Sequence, residues 1–226
     1  MDALGTKRVL TTDFSLRDGI LQDEIQLVRE HQGSHIALHL PDLYEKAARF
    51  GGSELPVKQV VSFTEVLFKR LKNLHKMRSE WQIYLTAAAI LHDTGEAVTP
   101  THHEVHSYYI VKNADFPSME KWEAEFVAQL CRWHPSGKPD LKDLPFTGDK
   151  EQREAFFKLL ALLRVADALD RGHKSSVRIK KISVSAKQVR LTLTGKGAID
   201  LELLRVDQKK ALFEQVFGRE LVAERD

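Results

Sequence analysis

Residues 156–171 read FFKLLALLRVADALDR, a helical run that is apolar on nearly every face. Such a helix offers no face to water, so it must be the buried centre of a helical assembly. Just past it, after Gly172, the spacing of apolar residues changes from about 3.6 to about 2.0. VRIKKISV, VRLTLT and AIDLELL each alternate apolar and polar residues, with turn signals near Ala186-Lys187 and Gly195-Gly197. A short helix over DQKKALFEQVF and a final alternating run, ELVAE, complete this part. The two features together predict a mainly α chain. Residues 31–172 form a helical bundle with 153–170 at its centre, and 173–226 form a small antiparallel α/β appendage. Residues 1–30 are a junction segment.

Helix punctuation divides the bundle. Asp42 and Glu45 predict a capping box opening LYEKAARF, stopped by Gly51-Gly52. A helix over roughly 54–76 follows, with Pro56 in its first turn, where no intrahelical bond is lost. Ser79 and Gln82 predict a capping box for WQIYLTAAAILHD, ending at Gly95. Ser118 is expected to cap MEKWEAEFVAQLCRWH, which Pro135 and Gly137 close, and Asp149 opens the central helix.

Composition narrows the function classes. The chain is 42% hydrophobic and 29% charged with a net charge of +2, so a polyanion partner must be argued from local charge. Its one cysteine, Cys131, excludes an internal disulfide and lies in an apolar helical run, which predicts a buried thiol. No signal-peptide core or membrane-length apolar stretch is present, so the expected location is cytoplasmic, with no membrane partner.

His92-Asp93 with Asp167 is the constellation that could carry chemistry. The dipeptide lies where the alanine-rich helix ends, and unpaired carbonyls there favour a cation. Asp167 lies in the most apolar helix, where a carboxylate without a partner is very costly. An imidazole and two carboxylates suit a divalent ion such as Mn²⁺, Mg²⁺, Fe²⁺ or Zn²⁺. Such an ion polarises a phosphoryl oxygen and generates hydroxide from bound water. His92, Asp93 and Asp167 are therefore candidate catalytic residues as well as ligands. A structural reading stands beside this one: Arg164 and Arg171 are on neighbouring turns and could pair with Asp167 in an ion cluster. THHEVHSYYI adds His102, His103 and His106 at helical spacings, and His134 ends its own helix. His102 and His103 read as surface histidines.

Between Arg171 and Arg190 there are seven cations and no acid: Arg171, Lys174, Arg178, Lys180, Lys181, Lys187 and Arg190. Alternation places Arg178 and Lys180 on one strand face. The run is either a solvated face or an electrostatic track for a polyanion. It holds no Tyr or Trp to stack on bases, which speaks against nucleic acid. Neither phosphate-cradling glycine loops nor nucleophile elbows occur.

SLRDGIL, YEKAARFGG, LTAAAILHDTGEAV, HSYYIVKNADFP, CRWHP, LLALLRVADALDR and LFEQVFG, in this order, resemble successive segments of the exopolyphosphatase / guanosine pentaphosphate phosphohydrolase (Ppx/GppA) family. The likeness runs from about residue 14 to the end, over that family's C-terminal HD-type domain. The resemblance implies an HD-domain-like helical bundle, packed as a homodimer, that binds polyphosphate or a phosphorylated guanosine nucleotide. It matches His92 and Asp93 to the HD pair, His106 and His134 to two family histidines, and Asp167 to the last HD-superfamily aspartate. The first HD histidine falls at Pro56, which cannot ligate. In the family, hydrolysis belongs to actin-like ATPase domains that precede this one and are not in this sequence. The resemblance thus implies a binding module served by a separate ATPase-fold subunit, and the alternative is a metal-dependent HD-superfamily phosphohydrolase.

Overall fold

A computed structural model of the chain describes residues 40–50, 54–116, 119–140, 142, 144–146, 149–170, 177–195 and 197–226. The helical part comprises α1 (Leu40–Arg49), α2 (Glu54–Arg70), a single turn α3 (Lys72–His75), α4 (Trp81–Leu91), α5 (His103–Asn113), α6 (Lys121–Trp133) and α7 (Lys150–Ala168). A 3-10 turn, Thr94–Ala97, joins α4 to α5. No helix among the described residues is long and apolar enough to cross a membrane.

The central position of α7 follows from its sequence. Phe156, Leu159, Leu160, Leu162, Leu163, Val165 and Leu169 are fully buried, and α7 touches α2, α4 and α6 on the bundle side. The alanine-rich α4 is its counterpart, packed against α1, α2, α6 and α7. Ala87, Ala88 and Ala89 are fully buried there, and their small side chains let neighbouring helices approach closely. Cys131 is buried beside α4, and burial raises its thiol pKa well above the ordinary range. It is a packing residue.

The capping signals met different fates. Asp149 accepts from the Gln152 amide at 3.1 Å, as its position predicts. α6 does carry a capping box, but from Glu120 and Glu123, the Glu120 amide donating to Glu123 at 2.8 Å. Ser118 lies outside the described residues. The expected Ser79–Gln82 box does not form, because Glu80 at the cap is already helical. α1 extends back to Leu40, which puts Asp42 inside its first turn.

Strands β1 (Val177–Val184), β2 (Gln188–Gly195) and β3 (Glu220–Arg225) form the appendage with α8 (Asp200–Lys209) and α9 (Ala211–Phe217). Two expectations are corrected here. AIDLELL is not a strand: from Asp200 it forms the first half of α8, with Asp200 and Glu202 at the end where the helix dipole favours acids. The sheet, in order β1-β2-β3, is also mixed. β1 pairs antiparallel with β2, and β3 runs parallel to β2 because the helical crossover α8–α9 intervenes. α8 and α9 both pack on α7, so the appendage is built onto the central helix of the bundle.

Candidate metal centre

α4 ends at Leu91, and the next residues satisfy its free carbonyls. His92 Nδ1 donates to the Ala89 carbonyl at 2.9 Å, and the Thr94 hydroxyl donates to that of Leu91 at 2.8 Å. α6 ends the same way, with His134 Nδ1 donating to the Cys131 carbonyl at 2.6 Å. At the start of α5, His103 Nδ1 contacts the Pro100 carbonyl at 3.3 Å. A carbonyl only accepts, so in all three rings the proton is on Nδ1 and Nε2 faces away from the backbone. Backbone anchoring of one ring nitrogen, leaving the other for an ion, is how metal-ligating histidines are held.

Those Nε2 atoms meet at Asp93. His92 approaches one carboxylate oxygen at 3.1 Å; His103 and His134 approach the other at 3.2 and 3.3 Å. The His103 and His134 Nε2 atoms lie 3.3 Å apart. His92 and His134 are almost wholly buried, while Asp93 and His103 keep a fifth to a quarter of their side chains exposed. Three neutral imidazole lone pairs and a carboxylate are all acceptors. They repel one another unless protons or a cation lie between them.

The electrostatics express this requirement. Burial opposes charge on His92, yet Asp93, its hydrogen bond and Asp167 push the imidazole up to about 9. The Asp93 hydrogen bond raises His103 as well. Burial holds His134 below its ordinary value. Burial also works against the Asp93 carboxylate, but the three histidines hold it well below the usual carboxylate range. His92, Asp93 and His134 have the mutual spacing of a metal-binding group, and Asp93 with Glu96 and His103 forms a second, overlapping one.

Gly95 brings α5 to this point. Its amide donates to the Ser107 hydroxyl at 2.9 Å. A Cβ at position 95 would lie 2.0 Å from the His103 carbonyl oxygen and 2.4 Å from the Ser107 nitrogen. Glycine was expected here as a helix stop, but its structural role is this close approach of two backbones. Arg164 secures α6 in turn. Its guanidinium donates to the carbonyl of Trp133, and to those of Ser136 and Gly137 at 2.8 and 2.7 Å. The turn that follows His134 is thereby tied to α7.

The sequence-derived candidates distribute as follows. His92, Asp93 and His134 come together, and His103 stands with them in place of His106. His106 is half-buried one turn further along α5, outside the group. Asp167 is near enough for its charge to act on His92 and His134. Its carboxylate is ion-paired with Lys209 of α8. The Lys209 charge, against the effect of burial, keeps Asp167 below its ordinary pKa. Arg164, one suggested partner of Asp167, spends its hydrogen bonds on backbone carbonyls, and Arg171 lies outside the described residues. The group draws on α4, α5 and α6 and takes nothing from Pro56 in α2.

The basic run is less one-sided than its sequence. The register of β1 slips between Ile179 and Lys181, leaving Lys180 in a bulge. Arg178 and Lys181 therefore share the outward face, opposite Thr194 and Thr192, instead of Arg178 and Lys180. β3 and the residue after it supply acids that the run lacks: Arg190 pairs with Glu224 and Lys180 with Asp226. Arg178, Lys181 and Lys187 remain exposed, and Arg171 and Lys174 lie outside the described residues.

Against this background, a family model described as Ppx/GppA phosphatase, domain III, matches residues 54–208, which include every member of the His–Asp group.

Proposed function

The chain belongs to the Ppx/GppA phosphatase family, and from that premise we propose that its domain is an HD-type module carrying a metal-dependent phosphohydrolase centre. The observation that carries this reading is the meeting of three backbone-anchored imidazoles on one carboxylate. Nε2 of His92 and His134 with the Asp93 carboxylate would hold a divalent ion, with His103 at the rim and Asp167 as a further anion. A bound ion would supply Lewis acidity toward a phosphoryl oxygen and a lower pKa for water. The residues supply the rest. Ala89 and Cys131 orient the rings, Gly95 and Arg164 hold the helix ends together, and His103 can keep a proton on Nε2 at the exposed side. The donors are nitrogen and carboxylate oxygen, which suits Mn²⁺, Fe²⁺ or Zn²⁺ better than an all-oxygen site would.

Metal analysis of protein purified without chelator or affinity tag tests this reading. The expected result is close to one equivalent of a transition metal, lost in Asp93→Asn and in His134→Ala. Metal-dependent hydrolysis of a phosphorylated guanosine nucleotide should disappear with it. A metal-free protein that rejects added Mn²⁺, Fe²⁺ and Zn²⁺ would leave the cluster structural.

A second reading rests on exposed Arg178, Lys181 and Lys187. In it the domain is a homodimeric module that binds polyphosphate or a phosphorylated guanosine nucleotide beside a separate ATPase-fold subunit. A low-salt polyphosphate titration decides it. Affinity should fall steeply with salt and fall again when these three residues become Ser. Glu224 and Asp226, already paired with Arg190 and Lys180, weigh against it.

A further inference from the structure

Bundle and appendage meet along a cleft beyond the His–Asp group. Its polar end, a cavity of about 230 Å³, is bounded by Ser136, Lys138, Arg164, Gln208 and Lys209, and no acidic side chain among the described residues lines it. A second cavity of about 410 Å³ shares Lys138, Leu212 and Gln215 with the first and is walled by Phe157 and Val216. These common walls set the two cavities side by side. The one acid lining the second cavity among the described residues, Glu154, lies 3.9 and 4.0 Å from the ammonium groups of Lys150 and Lys158.

Lys209 links this cleft to the chemistry, because it lines the polar end and pairs with Asp167, whose charge reaches His92 and His134. Arg164 contributes charge, its donors being committed to carbonyls. Lys138 is exposed at the rim and has no partner among the described residues. Gln208 accepts from Arg205 through its carbonyl, which leaves its amide free to donate. Cationic and amide donors at one end match a phosphoryl group. Phe157, Leu212 and Val216 at the other end match carbon, and an inorganic phosphate chain would gain nothing from them.

We infer that this cleft binds a phosphate monoester bearing an aromatic or apolar group, with its phosphoryl end at Lys138 and Lys209. The apolar part lies against Phe157, Leu212 and Val216. The inference rests on reading the His–Asp group as a phosphohydrolytic centre, whose substrate it assigns by class.

The test is titration of the full chain in EDTA with 1-naphthyl phosphate, inorganic phosphate and linear polyphosphate, and metal content measured separately. 1-Naphthyl phosphate should bind at least tenfold more tightly than inorganic phosphate. Lys138→Ala, at an exposed loop position, should weaken both, and Val216→Asp should remove the advantage of the naphthyl group while circular dichroism stays unchanged. Equal affinity for the two ligands, preference for polyphosphate, no binding, or a naphthyl advantage indifferent to Val216→Asp would each overturn the inference. Metal retained in those cases leaves the catalytic reading standing. A metal-free protein that still discriminates 1-naphthyl phosphate would overturn that reading and keep the cleft.

Discussion

Lys209, on the first helix of the appendage, is ion-paired with Asp167 on the central helix of the bundle. The pair joins two parts of the chain that differ in hydrophobic period. It also gives Asp167, the carboxylate in the apolar second half of that helix, a counter-charge from 42 residues away. Both side chains are largely buried, so removing one leaves the other poorly solvated.

Lys209→Met is expected to destabilise the fold by about 2 kcal/mol, below the range for a fully buried pair because water still reaches both groups. Asp167→Asn in the same background should recover part of the loss. Urea denaturation of the four proteins of this double-mutant cycle measures the coupling, and a coupling near zero would contradict the pairing.

Arg164→Gln removes the donors that hold the carbonyls of Trp133, Ser136 and Gly137. Charged hydrogen bonds are the strong ones, so a loss of about 3 kcal/mol is expected, seen as a lower urea midpoint with unchanged slope. The turn after His134 should loosen with it. Affinity for Co²⁺, followed by visible absorption, should therefore fall more than it does in Lys209→Met.

Gly95→Ala sets a methyl group against two backbone atoms of α5 that have no side-chain freedom to yield. A destabilisation of about 2 kcal/mol or more is expected, with His103 displaced from Asp93. Calorimetry measures the first effect. The His103 imidazole shift in NMR titration should return toward its ordinary value, since its hydrogen bond to Asp93 is what raises it.

His75 supplies a pH dependence away from the cluster. It is fully buried, with Nε2 donating to the Phe68 carbonyl at 2.8 Å and Nδ1 accepting from the Met77 amide at 3.0 Å. The bond from Met77 requires an unprotonated Nδ1 and so a neutral ring, and burial lowers the pKa against the opposing effect of the Phe68 bond. The unfolded chain then binds the proton more readily than the folded one. Stability is full above the unfolded value of about 6.5 and is lost as pH falls from there through the depressed folded value. Thermal midpoints measured from pH 7.5 down to 5.5 should decline, and the decline should be shallower in His75→Gln.

Particular residues show how much was legible. FFKLLALLRVADALDR identified the central helix because a helix apolar on nearly every face has only one place to go. The ends of α4 and α6 were legible too, and with them His92, Asp93 and His134, since residues at a helix terminus face a known set of free carbonyls. His103 could not be separated from His102 or His106 by spacing. Its place depends on the approach of α5 to Gly95, a contact between backbones. AIDLELL fits both periods over so short a length, and only packing of α8 on α7 decided for helix.

Local periodicity and helix termini acted within a few residues of each other, so the sequence by itself determined a helical bundle, an α/β appendage and the ring of helix ends that carries His92, Asp93 and His134. Charge balance was decided by tertiary structure. Lys209 reached Asp167 and β3 brought Glu224 and Asp226 to the basic strands through long-range pairing. Coulomb energy depends on distance in space, which residue spacing along the chain does not contain.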